Sequence, residues 1–321
     1  MRVSVIIPVY NAEKFVREAV ESSLAQPETG EVILIEDAST DESLQVCKEL
    51  THEFEKVRLL RHRNGKNQGA GASRNLGIVN ARFDYIAFLD ADDFFLPGRF
   101  SVAKQLFQTD PQIEGVYEAI GVHFENEALE RRWRVSNRKM MTTMKERVPP
   151  DRLFEAQMPV GTFGYCTTGG WVVKRSVFDK TGLFDKCLRV HQDTVMFIKF
   201  AAVGRMVAGR LDEPVAMRRV HDNNRISAPR SFYKRYRNRI LMWFTLWKWG
   251  KIHLNEKRKQ ILLRRFIEYA ATPFRKTPSK LFNRFQSICK LTLSALLYPQ
   301  LCLEITYWRK YFANFNIHKL I

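Results

Sequence analysis

The sequence predicts an α/β protein with a mostly parallel central sheet flanked by helices, followed by a basic helical region at the carboxyl end. Three observations predict it. Short β-branched apolar runs alternate with amphipathic stretches, as they do in βαβ units. Carboxylates and an aromatic residue directly follow predicted strands. Nearly all of the excess positive charge lies in residues 230–321.

The first part of the chain contains four predicted strands, at Val3–Val9, Val32–Ile35, Val57–Leu60 and Tyr85–Leu89. Between them lie three predicted helices, at Glu13–Leu24, Asp41–Phe54 and Ala70–Ala81. In the first helix the apolar residues recur at helical spacing. Because strands separated by helices pair in parallel, we expect a ligand to bind outside the carboxyl ends of the strands.

Composition excludes several classes of protein. The 321 residues are 45% hydrophobic and 12% aromatic, which excludes intrinsic disorder as the main state. The longest apolar run, Leu291–Leu303, falls short of the roughly 20 residues that a spanning helix needs. A strand starting at Val3 leaves no room for a signal peptide. The five cysteines form no C-x-x-C pair, which argues against a zinc site and a disulfide framework and fits a reducing cytoplasm.

The net charge of +18 is unevenly distributed along the chain. Residues 1–229 contain 32 Lys and Arg against 31 Asp and Glu, whereas residues 230–321 contain 20 against three. We therefore predict two domains with this boundary.

The acidic run Asp90-Ala91-Asp92-Asp93 follows the fourth predicted strand. Three carboxylates within four residues repel one another unless a cation offsets them, and Mg²⁺ prefers one or two carboxylates plus phosphate oxygens. The alternative is a solvated acidic turn that caps the helix after Pro97. Asp37, after the second strand, accepts a hydrogen bond from a base or ribose or serves as a turn and cap residue.

The glycine-rich segment Asn64–Asn75 lies before the fourth strand. Its glycines allow a tight backbone at a helix start, where N–H groups bind an anion. Arg74, one turn inside that helix, binds nucleotide or forms a surface salt bridge. Neither G-x-G-x-x-G after the first strand nor G-x-x-x-x-G-K-[ST] occurs, which disfavours a nicotinamide dehydrogenase and a P-loop nucleotidase.

Four motifs in this order resemble the family 2 glycosyltransferases, which have a GT-A fold. They are V-S-V-I-I-P-V-Y-N (Val3–Asn11), E-D-A-S-T-D (Glu36–Asp41), N-Q-G-A-G-A-S-R-N (Asn67–Asn75) and F-L-D-A-D-D (Phe88–Asp93). The resemblance extends to about His221. It implies that the first domain divides into a nucleotide-sugar half, about residues 1–110, and an acceptor half, about residues 111–229. Two departures are Ala38, where the family commonly has Gly, and Gln192, where it has Glu.

The resemblance implies an inverting glycosyltransferase. Such an enzyme moves a sugar from a nucleotide-diphosphate sugar, here expected to be a UDP-sugar, to a hydroxyl of a glycan or lipid-linked acceptor in cell-surface polysaccharide or glycoconjugate synthesis. The donor-binding residues carried over are Pro8, Val9, Tyr10, Asp37, Asn67, Arg74, Asp90 and Asp92. A divalent cation, Mg²⁺ or Mn²⁺, is expected on Asp92, Asp93 and His221.

The segment from Gly182 to Thr194 is similar to the family segment that carries the general base. The resemblance therefore implies that Asp193 deprotonates the acceptor hydroxyl, the alternative being a helix cap formed with Thr194. The run from Phe163 to Val173 resembles the acceptor side. There Gly169 and Gly170 allow close approach of a sugar and Trp171 stacks on it, or Trp171 is simply core.

The segment Arg218–Asn224 resembles the R-x-H that closes many catalytic domains near the diphosphate. His221 then binds metal or phosphate, and a lone surface histidine is the alternative.

Residues 230–321 interleave basic and apolar residues at helical spacing, with several Trp and Phe. Basic amphipathic helices of this kind lie on anionic bilayers, so we expect a peripheral protein on the inner face of the cell membrane. A helical subdomain packed on the core is the alternative. Nucleic acid is not an expected partner, since zinc spacing and an RNP motif are missing from the sequence. The competing functions are a non-catalytic nucleotide-sugar binder and a basic nucleic-acid-binding protein.

Overall fold

A computed structural model describes residues 1–136, 139–222, 232–272 and 278–315. The chain divides into two compact units, Met1–Arg230 and Ser231–Ile321. The predicted boundary at Pro229 lies outside the described residues, as do Asn223 and Asn224 of the last motif.

The first unit contains two sheets. Their strands are β1 (Val3–Val9), β2 (Thr29–Glu36), β3 (Val57–Arg61), β4 (Tyr85–Phe88), β5 (Phe94–Phe95), β6 (Gly115–Tyr117), β7 (Ile120–Phe124), β8 (Met141–Thr142), β9 (Trp171–Lys174), β10 (Met206–Ala208) and β11 (Ala216–Val220). The larger sheet has the order β10-β6-β9-β4-β1-β2-β3, and the smaller one the order β5-β11-β7-β8.

The predicted mostly parallel sheet is confirmed. β1 lies between β2 and β4 and pairs with both in parallel, with Ile6 opposite Ile33 on one side and Phe88 on the other. The chain order reverses at β1, which makes the carboxyl ends of β1 and β4 the crevice where such sheets bind ligands. A strand through Val172 and Val173 is expected from the sequence, but its antiparallel place between β4 and β6, and the whole smaller sheet, are not.

The helices of the first unit pack beside these sheets. They are α1 (Val16–Leu24), α2 (Ser43–Glu53), α3 (Ala70–Asn80), α4 (Ser101–Thr109), α5 (Glu127–Val135), α6 (Leu153–Ala156), α7 (Val177–Thr181) and α8 (Gln192–Val203). α1 starts three residues after the predicted Glu13. The N–H groups of Ala12 and Glu13 donate to Ser43 Oγ at 2.8 Å and Asp41 Oδ2 at 3.2 Å, which holds that segment against the α2 end instead.

The core of the first unit lies against the larger sheet. The strand β1 is almost wholly buried, and its apolar side chains join those of β2, α1 and α4 in one hydrophobic cluster. A fully buried ion pair, Arg99 to Glu118 at 2.7 Å, lies beside this cluster. Burial lowers the pKa of Arg99 to about 10, while the Glu118 carboxylate opposes that shift.

The second unit is helical. It consists of α9 (Phe232–His253), α10 (Glu256–Ala271), α11 (Lys280–Leu297), a 3₁₀ helix (Pro299–Leu303) and α12 (Ile305–Phe315). Its core contains stacked aromatic rings, among them Phe244 and Tyr298 with centroids 4.2 Å apart. Among the helices described here, none combines the length and apolar character needed to cross a bilayer.

Candidate active site

Hydrogen bonds join the loops that follow β1 and β2. Asn11, with φ of 50°, donates its backbone N–H to Ser39 Oγ at 3.1 Å. Its side-chain Oδ1 accepts the N–H of Thr40 at 2.8 Å. The polar residues of the second motif therefore position the chain that follows β1. Tyr10 lies in this segment, with half of its surface exposed. Pro8 is half-buried beside it.

The Asp37 carboxylate binds the loop before α3. Its two oxygens accept the backbone N–H groups of Gln68 and Gly69, each at 2.7 Å, and its carbonyl accepts Asn67 Nδ2 at 3.0 Å. Asp37 is 3% exposed. Asp37 therefore acts as a turn residue, one of the two roles considered from the sequence. Its hydrogen bonds go to the loop before α3 and not to the start of α2, and Asn67 supports the same loop.

The helix α3 also holds the segment before α8. Asn75 Nδ2 donates to the carbonyl of Phe184 at 2.8 Å, and Asn75 Oδ1 accepts the Phe184 N–H at 2.8 Å. Asn75 closes the third motif, yet the motif alone assigned it no role. A buried amide that exchanges two hydrogen bonds with one backbone residue fixes the loop that leads to α8.

Arg74 is buried between the acidic run and α8. Its Nη2 donates to Asp90 Oδ1 at 2.6 Å, and its Nη1 donates to Gln192 Oε1 at 3.4 Å. The guanidinium also lies over the Phe184 ring, 5.6 Å from the centroid. Arg74 does form a salt bridge, the alternative considered from the sequence, but the guanidinium is buried and only the Asp90 carboxylate is half exposed. Arg74 thus connects the acidic run to the start of α8, two parts of the predicted site that are far apart in the sequence.

Asp193 is the second residue of α8 and is half-buried. The N-cap residue of α8 is His191, with φ of 63°. Asp193 is therefore not the helix cap, which was the alternative role considered from the sequence. Asp193 Oδ1 accepts the N–H of Thr194 at 2.8 Å. Within the described part of the chain, Oδ2 makes no hydrogen bond. One carboxylate oxygen is therefore available to an acceptor hydroxyl.

Asp92 and His221 lie together at the end of the acidic run. His221 Nε2 is 3.2 Å from Asp92 Oδ2, and the imidazole packs on the Phe15 ring with centroids 4.7 Å apart. Asp92 is a third exposed at its side chain and His221 half as much. Carboxylate oxygen and imidazole nitrogen are both ligands of divalent metals, so this pair fits a cation.

Asp93 does not join that pair. It is 8% exposed, and its Oδ1 accepts the backbone N–H of Arg219 at 2.9 Å. Burial raises the pKa of Asp93 well above its usual range, and the carboxylates of Asp92 and Asp90 raise it further. Across the described ranges, no three His, Cys, Asp or Glu side chains form a group able to hold a metal ion. The structure therefore does not bring the three predicted metal ligands together, since Asp92 contacts His221 while Asp93 is buried against β11.

Arg219 is structural rather than phosphate-facing. Its Nη1 donates to Glu125 at 2.6 Å, its Nη2 donates to Glu18, and its Nε donates to the carbonyl of Asp92 at 3.0 Å. Neighbouring residues of a strand point to opposite faces, so Arg218, half-buried, lies on the other side of β11.

Two further predicted side-chain roles are corrected by burial. Val9 is fully buried in the hydrophobic cluster, so it can contribute to a nucleotide pocket only through its backbone. Trp171 is also fully buried and stacks on Phe197 with centroids 5.7 Å apart, which makes it core, the alternative considered from the sequence. It cannot stack on a sugar from that position.

Gly169 and Gly170 lie in a buried 3₁₀ turn before β9. A Cβ on Gly170 would stand 2.3 Å from the carbonyl oxygen of Glu118, so glycine is needed there for the close approach of two backbone segments. That requirement explains the glycine by packing rather than by a bound sugar.

Ala38 is strained. Its φ is 59°, a left-handed conformation that disfavours residues with a Cβ. Glycine, which the resemblance leads us to expect at this position, adopts such a φ without strain. Glu36, two residues earlier, accepts the N–H of Ser39 at 2.5 Å and pairs with Arg61 at 2.8 Å. These two contacts support the turn despite the strain at Ala38.

Comparison with known proteins identifies relatives of this architecture. The family model described as "Glycosyl transferase family 2" matches residues 4–182. An uncharacterized glycosyltransferase of Rickettsia felis is 45% identical over 108 residues, which are 33% of this chain and 17% of that protein. The succinoglycan biosynthesis protein ExoU of Rhizobium meliloti is 40% identical over 97 residues, which are 30% of this chain and 28% of ExoU. This chain thus spans well under two thirds of either relative.

Solved structures have the same fold. Residues 1–349 of S. aureus TarS superpose with a TM-score of 0.62 at 20% identity, covering 98% of this chain and 89% of that one. TarS has also been solved with UDP-GlcNAc. The mannosyltransferase PcManGT of Pyrobaculum calidifontis, solved with GDP-Man and Mn²⁺, has a TM-score of 0.55 at 16% identity and covers 98% and 84% of the two chains. Since the family model covers more than half of the sequence, this chain belongs to the family 2 glycosyltransferases.

Proposed function

We propose that this protein is an inverting glycosyltransferase that takes a sugar from a nucleotide-diphosphate donor, a UDP-sugar by preference, to a hydroxyl of a glycan or lipid-linked saccharide. One observation carries the proposal. Arg74 hydrogen bonds to Asp90, at the end of β4, and to Gln192, the residue before Asp193. The residues assigned to the donor and the assigned base therefore belong to one site.

The donor is placed at the crevice between β1 and β4. Tyr10 offers an exposed aromatic face there, and Asp90 keeps a half-exposed carboxylate beside Arg74. Asp37 and Asn67 hold the loop before α3. Pro8, half-buried near the end of β1, is assigned to the same donor site. These contacts orient the nucleotide and leave the sugar toward the α8 end, which fixes the reacting carbon relative to Asp193.

Asp92 and His221 are the residues that would hold a divalent cation, Mg²⁺ or Mn²⁺. Their facing oxygen and nitrogen atoms, 3.2 Å apart and partly exposed, fit that use. A bound cation supplies positive charge that offsets the negative charge of the diphosphate. Arg218, in β11, lies close enough to the acidic run for its positive charge to lower the pKa of Asp93.

Asp193 acts as the general base. Its Oδ2 takes the proton of the acceptor hydroxyl while that oxygen forms a bond to the anomeric carbon, and the bond from this carbon to the diphosphate oxygen breaks. Attack comes from the face opposite the nucleotide, so the configuration inverts. The nucleoside diphosphate leaves with the bonding electron pair.

Cell-surface polysaccharide or glycoconjugate synthesis is the process that fits this chemistry. ExoU is named for succinoglycan biosynthesis, and a Bacillus subtilis relative, GgaA, for minor teichoic acid biosynthesis. An anionic membrane surface is the partner proposed for the second unit, because lipid-linked acceptors are held there. We place the protein peripherally on the inner face of the cell membrane for that reason.

Donor screening tests the proposal. Thermal shift with UDP-sugars and GDP-sugars should reveal stabilisation that requires Mn²⁺ and is abolished by EDTA. Asp92→Asn should lose the metal-dependent part, whereas Asp179→Asn, an exposed carboxylate on α7, should keep it. Stabilisation by no nucleotide-sugar would refute a donor site, and binding without release of nucleoside diphosphate to any acceptor would support the non-catalytic alternative.

A further inference from the structure

The helix α11 buries its polar side. Four of its five buried residues are polar, namely Gln286, Ser287, Lys290 and Ser294, with Leu291 as the fifth. Its exposed side is apolar, with Leu281 61% exposed, Phe285 61% and Leu296 75%. An amphipathic helix packed on a protein core has the opposite arrangement.

Specific contacts fix this orientation. Lys290 Nζ donates to the carbonyls of Tyr269, at 3.2 Å, and Thr272, and it lies 4.3 Å from the Tyr236 ring centroid. Ser294 Oγ is 3.2 Å from the Tyr236 hydroxyl. The buried polar groups are therefore satisfied within the unit, and rotating α11 to hide its leucines would break these bonds.

The helix α12 carries a second exposed apolar side. Ile305, Trp308 and Phe312 recur at i, i+3 and i+7, so they lie on one side of the helix, and they are 70%, 37% and 60% exposed. The Tyr307 hydroxyl donates to the carbonyl of Leu291 at 2.6 Å, which ties α12 to α11. We call the six side chains Leu281, Phe285, Leu296, Ile305, Trp308 and Phe312 the outer face.

The positive charge of the second unit indicates which partner covers the outer face. Residues 231–321 contain 19 Lys and Arg against three Asp and Glu, and exposed Lys280, Arg309 and Lys310 adjoin the outer face. A second copy of so basic a unit would be repelled from that surface, whereas anionic headgroups complement it. Apolar side chains bordered by basic ones, on helices that do not span, are typical of segments that lie in a bilayer interface.

We propose that α11 and α12 are an interfacial anchor, with the outer face inserted at the acyl–headgroup boundary of an anionic bilayer. Lys280, Arg309 and Lys310 contact the headgroups. This inference rests on the membrane partner proposed above and names the residues that make the contact. It requires no spanning segment and no change in the packing of the second unit.

Vesicle sedimentation of the full-length protein tests the anchor. The wild type should bind vesicles of mixed phosphatidylglycerol and phosphatidylcholine at least about tenfold more tightly than phosphatidylcholine alone. The triple variant Leu281→Gln, Phe285→Gln, Leu296→Gln should weaken binding about tenfold or more. The matched control Val79→Gln, Val135→Gln alters equally exposed apolar residues of the first unit, 68% and 85% exposed, and should bind like the wild type.

Tryptophan fluorescence gives a second measurement that does not depend on a variant folding. Of the six tryptophans, five are at most 8% exposed, and only Trp308 is more exposed. Brominated anionic lipid should quench the Trp308 emission, and Trp308→Phe should remove the quenched component. Absence of quenching with bound protein would overturn insertion of this face.

Other outcomes are equally decisive. Failure of the wild type to bind either vesicle would refute the anchor, as would an outer-face variant that binds like the control. A dimer of the wild type that the triple variant converts to monomer, without vesicle binding, would assign the face to self-association instead. Donor binding measured without vesicles should be the same in all variants, so loss of donor binding alone counts against the proposed function and leaves the anchor standing.

Discussion

The guanidinium of Arg74 lies between Asp90 and Gln192, with Nη2 2.6 Å from Asp90 Oδ1 and Nη1 3.4 Å from Gln192 Oε1. The three residues come from α3, the end of β4 and the start of α8. Glutamine instead of the usual glutamate at position 192 keeps an oxygen toward Arg74 without a second negative charge. Its Nε2 also donates to the carbonyl of Leu188, which a carboxylate would not do.

Replacing Arg74 should impair catalysis. Arg74→Gln removes the charge beside Asp90 and loosens the contact with α8, so we expect kcat/KM for sugar transfer to fall about tenfold to a hundredfold. Arg17→Gln, which breaks exposed ion pairs with Glu21 and Glu53, is the control and should change little. Equal rates for both variants would contradict a role for Arg74 in the site.

The two hydrogen bonds between the Asn75 side chain and the Phe184 backbone, here called the clamp, should contribute to stability. Asn75→Ala leaves the buried N–H and carbonyl of Phe184 without partners, so the free energy of unfolding should fall by about 2–4 kcal/mol. Denaturant unfolding at equilibrium measures this. Asn80→Ala, which removes a single hydrogen bond to Leu76 at the end of α3, should cost less, and the reverse ranking would show that the clamp is unimportant.

The left-handed turn at Ala38 predicts a stabilising substitution. Ala38→Gly relieves the Cβ conflict at a φ of 59°, so unfolding should require about 1 kcal/mol more. Ala25→Gly is the control, because its φ of −66° suits alanine and glycine there adds only unfolded-state entropy. A loss of stability in both variants would mean that the turn is not strained.

The neighbouring arginines of β11 should respond differently to the same change. Arg219→Lys breaks bonds to Glu18, Glu125 and the carbonyl of Asp92, so unfolding should become easier by about 2–3 kcal/mol. Arg218→Lys keeps a charge at a half-buried position and should leave stability nearly unchanged. Thermal denaturation of the two proteins side by side distinguishes them, and similar melting temperatures would contradict the structural assignment of Arg219.

The strands that carry the site were predictable because the signal is local. A buried run such as Val3–Val9 followed by polar residues predicts both a strand and what stands at its end. All four predicted strands of the parallel sheet form, and β2 extends beyond its predicted ends. The motif residues Arg74 and Asp90, from separate motifs, also contact each other just beyond β4.

The other features of the fold and of the site could not be predicted, because they depend on contacts between residues that are far apart in the sequence. Arg219 bonds to Glu18, 201 residues away, and to Asp93, 126 residues away, and the local sequence indicates neither contact. Burial of Trp171 likewise follows from β9 entering the sheet between β4 and β6. The composition of the second unit predicted basic helices, but only packing reveals that α11 turns its apolar side outward.

The central claim is that Asp193 deprotonates the acceptor, and the most direct measurement compares Asp193→Asn with the wild type in sugar transfer and in donor binding. We predict that kcat falls by about a hundredfold to ten-thousandfold while the donor Kd, measured by calorimetry with Mn²⁺, stays the same. Asp179→Asn should match the wild type in both. Transfer by Asp193→Asn at the wild-type rate would contradict the account.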